Sequence, residues 1–308
     1  MLGLNERTRA YISLVFMPLF FSSNLVLGRA AIEIVEPWTA AYWRWGLASL
    51  ILFPFAIGGV WRCRDALMEN WRLLIAFGFL GMIICGGGVY VSLRYTTATN
   101  ATLIYTTSPV FVLLLERVFR RQLISPRQIL GVVLAFFGIV EIVLRGEPAR
   151  LLSLTLNGGD LGILFAAFSW AVYSVLLRRP AFQALPTLPL FLIIALIGTA
   201  LLTPLMLWEA VSVGPMPMVA RAWASLVGLA VIASVLPFLA YQYGVKVVGP
   251  SITSMFLYLL PAFGVLMAAV FLGEELRLYH GIGFVLVTAG VILATAKFGG
   301  NGKSVPTN

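Results

Sequence analysis

Ten apolar stretches of about twenty residues follow one another along the chain, joined by short polar connections. A bilayer core about 30 Å thick takes roughly 20 residues of helix at about 1.5 Å per residue, and inside lipid each backbone N–H and C=O must be bonded within its own segment. The runs fall at 11–32, 38–58, 72–93, 98–118, 127–145, 158–177, 188–208, 221–243, 250–272 and 279–297. With 60% hydrophobic and 11% charged residues and a mean hydropathy of +0.98, a chain of 308 residues has more apolar surface than one water-soluble core can absorb. The expected fold class is an all-α integral membrane protein of ten transmembrane helices.

Trp38, Trp61, Trp71, Trp208 and Trp223 all fall at the edges of these runs, where an amphipathic ring favours the headgroup level. Arg7 and Arg9 precede the first run as in a signal peptide, but no small-residue cleavage site follows, so the run is read as helix one. Counting Lys and Arg on alternate sides gives 14 on the side of the N-terminus and 6 on the other. The positive-inside tendency then places both termini in the cytoplasm and the chain in the cell's inner (plasma) membrane. The net charge of +9 is scattered singly rather than gathered on one face, which argues against nucleic acid as a partner. Cys63, Cys85 and His280 form no disulfide or metal-ligand pattern, so no metal or cofactor is expected.

An internal repeat organises the chain. Pro109 and Pro261, Phe111 and Phe263, Gly131 and Gly283, Gly138 and Gly290, Arg94 and Lys246, and Thr99 and Ser251 are each separated by 152 residues. An odd number of spans per half makes the second half enter from the opposite side. The expected architecture is two inverted five-helix repeats around a central cavity, able to open alternately to either side. The boundaries read as a cytoplasmic N-terminus at 1–10, repeats at 11–145 and 158–297, a linker at 146–157 and a cytoplasmic tail at 298–308.

These features resemble the EamA-type branch of the drug/metabolite transporter superfamily over about 11–297. The resemblance is carried by the segment "TTATNATLIYTTSPVFVLLLERVF" with Pro109, its partner "VGPSITSMFLYLLPAFGVLMAAVFLGEEL" with Pro261, Glu274 and Glu275, and "YWRWGLASLI" around Arg44. Gln122 stands where the second half has Glu274, so the acidic feature after helix nine is not duplicated after helix four. Within the family the chain looks most like exporters of amino acids, aromatic ones above all. The resemblance implies the fold more firmly than the substrate.

Several residues are candidates for a substrate site. Arg44 is the one charge well inside a run, roughly 9 Å deep from the nearer edge; it either snorkels or packs, or it lines a cavity. Asn24, beside Ser22 and Ser23, sits near mid-membrane, and Tyr105 and Thr106 precede Pro109. A proline inside a helix frees a carbonyl, so these polar groups either satisfy that break or face a cavity; Pro261 beside Tyr258 repeats the pattern. Tyr90, Trp170, Tyr173 and Tyr241 are aromatic residues away from the interfaces, either packed or lining a site for a flat, net-neutral solute. Gly86, Gly87 and Gly88 read as close helix contacts or a flexible point, and Glu116 with Arg117 and Glu141 with Arg145 as interfacial pairs.

No Ser/His/Asp set, metal cluster or buried carboxylate pair suggests an enzyme, and no ring of repeated polar groups suggests a channel. The expectation is an exporter of neutral, preferentially aromatic or large apolar, amino acids, with another neutral metabolite such as a nucleoside or an amine as the alternative. Its partners are a small-molecule substrate and the lipid bilayer, and it is expected as a monomer or weak oligomer.

Overall fold

The computed structural model describes residues 5–147, 157–272 and 275–295. Glu274, most of the expected linker (148–156) and the tail from 296 lie outside the described residues. Among those described, all regular structure is helical. The ten spans are α1 (Glu6–Ile32), α2 (Pro37–Arg62), α3 (Trp71–Ser92), α4 (Ala98–Tyr105 and Ser108–Arg120), α5 (Pro126–Leu144), α6 (Gly158–Leu176), α7 (Thr187–Ser212), α8 (Ala220–Val248), α9 (Pro250–Met255, Phe256–Leu259 and Leu260–Leu272) and α10 (Leu278–Thr295). Nine of them meet the length and composition of a membrane span; α1, 27 residues long, is the tenth and packs against α8 and α9.

The repeat is visible in the backbone. α1 and α6 begin at 6 and 158, and α5 and α10 at 126 and 278, each 152 apart. Both α3 and α8 also widen into a π-helix, at Phe79–Gly88 and Val231–Val235, and the two segments start at the same offset, 79 and 231. The glycines named above meet crosswise between α5 and α10. A Cβ on Gly131 would lie 2.6 Å from the Gly290 carbonyl oxygen, and one on Gly138 would lie 2.7 Å from that of Gly283. Exchanging the halves exchanges these two contacts, as a two-fold axis in the membrane plane requires.

Both expected proline breaks are present, one turn ahead of each proline. Pro109 has no N–H to offer the Tyr105 carbonyl, and α4 is interrupted at Thr106–Thr107, whose hydroxyls donate to Leu103 O and Ile104 O at 2.6 Å. In α9 a 3-10 turn at Phe256–Leu259 precedes Pro261, and the Ser22 hydroxyl of α1 lies 2.9 Å from the Leu260 carbonyl oxygen. The triple glycine in α3 serves close approach: a Cβ on Gly87 would sit 2.4 Å from the Trp38 ring, and one on Gly86 3.0 Å from Trp45 Nε1. Trp61, Trp71 and Trp208 are exposed at span edges, whereas Trp38 covers Gly87 and Trp223 packs on Trp43 with centroids 4.8 Å apart.

Candidate substrate site

Arg44 does not snorkel. Its side chain is buried, 4% exposed, and reaches across the bundle between the halves. Nε donates to the Ser234 hydroxyl and Nη2 to the Ala233 carbonyl (2.9 Å), both on the π-segment of α8. Nη1 donates to the Tyr90 hydroxyl of α3 (2.9 Å) and more distantly to Asn24 Oδ1 of α1 (3.5 Å). Tyr90 in turn donates to Asn24 Oδ1 at 2.9 Å. The Ser234 hydroxyl itself donates to the Leu229 carbonyl, five residues earlier, and Pro237, four residues after Ala233, has no N–H to offer the Ala233 carbonyl, which is left to the guanidinium. Among the described residues Arg44 has no ion pair. Burying an uncompensated cation is costly, and this site offsets that cost with neutral acceptors and the face of Trp45, 4.9 Å from the guanidinium carbon.

A continuous set of rings leads away from this charge. Trp45 meets Phe238 at 4.8 Å, Phe238 meets Trp170 at 5.3 Å, and Trp170 is stacked on Tyr173 (5.3 Å, 13°) and tilted against Tyr241 (4.7 Å). The phenols are tied in: Tyr241 shares a hydrogen bond of 2.6 Å with Ser174, and Gln242 Nε2 donates to Tyr173 at 2.8 Å. The Tyr105 hydroxyl lies within electrostatic reach of Cys85, Tyr241 and Arg44. The structure thus gathers Asn24, Arg44 and Tyr90 into one network and Trp170, Tyr173 and Tyr241 into one stack, with Tyr105 in the neighbourhood of both.

Tyr258 is buried, with a hydroxyl that finds no partner among the described residues, as is Gln242 Oε1. Among the described residues Thr106 bonds only within its own helix, and Pro109 and Pro261 shape the backbone rather than join the cluster. Ser234, Phe238, Gln242 and Ser174 escape the sequence reading, in which Cys85 figures only as a cysteine without a disulfide or metal pattern. Ser234 and Gln242 carry a signal that could have found them, being uncharged polar residues within an apolar run.

The two ends of the bundle differ. At the end holding the α1–α2, α3–α4 and α7–α8 connections, Arg94 pairs with Glu36, and Asp160 accepts from Thr96 and Asn100. There the Glu209 carboxylate of α7 receives the backbone N–H groups of Trp38 and Thr39 at 3.1 and 2.8 Å, and the Thr39 hydroxyl. At the opposite end a cavity of about 760 Å³ opens between the α4–α5 turn, the end of α6, the α8–α9 turn and the end of α10. Glu116 lines it. The expected interfacial pair with Arg117 is replaced by a buried carboxylate that accepts from Ser251 (2.7 Å) and faces Arg120 (3.8 Å). Residues one apart point to different helix faces, whereas those four apart share one.

Comparison with known proteins agrees with this architecture. The chain matches the EamA-like transporter family twice, at residues 8–144 and 157–296. It is 28% identical over 287 residues to the Bacillus subtilis protein "Uncharacterized transporter YyaM", covering 92% of this chain and 93% of that one. It is also 28% identical over 298 residues to an "Uncharacterized transporter" of Archaeoglobus fulgidus, covering 96% and 99%. A solved crystal structure superposes with a TM-score of 0.73 at 19% identity, over 94% of this chain and 96% of that chain, which shows a common fold. With two family repeats matched across nearly all of its length, the chain belongs to the EamA-like transporter family and is a multi-pass membrane transporter.

Proposed function

We propose that this transporter exports net-neutral amino acids, preferring aromatic or large apolar side chains, by alternating access between its inverted halves. The observation that carries the reading is the unbroken path from the Arg44 guanidinium over Trp45 and Phe238 to the Trp170, Tyr173 and Tyr241 rings. A substrate carboxylate replaces the Tyr90 and Asn24 oxygens on Arg44, whose charge has no other counter-ion among the described residues. Hydroxyls and the carbonyls freed at the two breaks receive the ammonium group, and the side chain lies among the rings, where contacts contribute on the order of 1 kcal/mol beyond burial. That margin is small, so selectivity among large side chains is broad. Acidic, basic and phosphorylated solutes lack the counter-charges they need there. Counterflow in proteoliposomes tests the reading: phenylalanine, tryptophan or methionine exchanges faster than glutamate or a sugar phosphate, and the reverse order overturns it.

The same proposal places the carrier in the plasma membrane as a monomer or weak oligomer, with both termini and the Arg-lined cavity on the cytoplasmic side. The 14 to 6 imbalance of basic residues supports this orientation. A reporter fused at Asn308 that is active only outside the cytoplasm refutes it.

A further inference from the structure

We propose that the cavity at the basic end of the bundle is a binding site for a phosphate-class anion, either a phospholipid headgroup or a free phosphate. Its volume of about 760 Å³ accommodates such a group, and three arginines line it, Arg120, Arg127 and Arg178, against one carboxylate, Glu116. That carboxylate is already engaged, by the Ser251 hydroxyl and by Arg120, so the net field in the cavity is positive. Arg178 is held at the wall by Nη1, which donates to Lys246 O (2.7 Å), Val245 O (3.1 Å) and Gln183 Oε1 (3.2 Å). Arg127 has no hydrogen-bond or ion-pair partner among the described residues, although it lines the same cavity. A planar guanidinium without a partner matches phosphate oxygens in a bidentate fork, and basic pockets between helix ends take lipid headgroups. Beside Arg120 and Gln122, the side chains of Phe119 and Leu123 are 73% and 76% exposed, an apolar flank suited to the acyl chains of a lipid bound there.

The test is thermal unfolding of the purified full-length protein in neutral detergent, titrated with phosphatidylglycerol, phosphatidylcholine or inorganic phosphate. Phosphatidylglycerol raises the midpoint and phosphatidylcholine does not; an equal rise with inorganic phosphate identifies a free anion, and a rise with the lipid alone identifies the headgroup, either result supporting the site. The Arg120→Gln/Arg127→Gln variant weakens the response by about tenfold or more in half-saturating concentration, since each charge-assisted bond is worth about that factor. An Arg62→Gln/Arg64→Gln control, which removes the same charge from residues outside the cavity lining, keeps it. The proposal falls if phosphatidylglycerol and phosphatidylcholine act alike and phosphate does nothing, or if both variants lose the response equally.

Discussion

Gly131 of α5 lies so close to Gly290 of α10 that no side chain fits between them, and the pseudo-symmetric pair Gly138 and Gly283 repeats the contact. The nearest atom to a Cβ on either Gly131 or Gly138 is a carbonyl oxygen of α10, and an α10 amide nitrogen is close behind; backbone of this kind cannot swing away as a side chain can. Gly131→Ala and Gly138→Ala should each destabilise the protein by about 1–3 kcal/mol, the usual penalty of overpacking. Gly281→Ala on the partner helix α10, where a Cβ meets nothing within 4 Å among the described residues, should be close to neutral. Thermal midpoints in detergent check the contrast, and equal shifts at all three positions would refute it.

Arg44→Ala should abolish most transport and also lower stability, because it leaves Ser234, Tyr90 and Asn24 without their shared donor in the interior. Arg44→Lys keeps the charge but not the fork, so it should retain part of the transport with at least about tenfold weaker apparent affinity. Substrate titration by counterflow separates the two variants. Unchanged apparent affinity in a folded Ala variant would make Arg44 a helix tie alone.

Pro109→Ala and Pro261→Ala restore a backbone donor one turn after each break and should straighten α4 and α9. Transport should fall several-fold while membrane insertion stays normal, because the alternating access proposed above assigns both breaks to the moving cavity wall. Rates per inserted molecule measure this; normal rates in both variants would reduce the breaks to packing features.

Glu209→Ala removes the acceptor for two backbone N–H groups at the start of α2, and should cost about 1–2 kcal/mol, as loss of an N-cap does. Glu209→Gln keeps an oxygen in place but drops the charge facing the helix dipole, and should cost less. Unfolding midpoints rank wild type, Gln and Ala in that order; an Ala variant as stable as wild type would refute the capping role.

Much of the fold was legible in the sequence because lipid imposes a length on every span and the inverted repeat leaves a fixed offset between paired residues. The spans were therefore recognisable to within a few residues, and Pro109 with Pro261 marked both breaks. The roles of Arg44 and Glu116 were not legible in the same way. Periodicity tells whether a residue lies within a span, but not which neighbour its side chain reaches, and Arg44 was equally consistent with lipid and with the interior until its acceptors on α1, α3 and α8 were in view.

The sequence by itself determined that this chain spans a membrane in ten helices as two inverted halves, since the runs of about twenty apolar residues and the 152-residue offset are local or pairwise properties of the chain. Only the tertiary structure decided that the glycines pair crosswise, that Glu209 caps a helix 170 residues away, and that the π-turn at Val231–Val235 receives Arg44. Such contacts join segments far apart in sequence, and the free energy that selects them comes from satisfying polar groups and close packing in the interior, which no single segment carries.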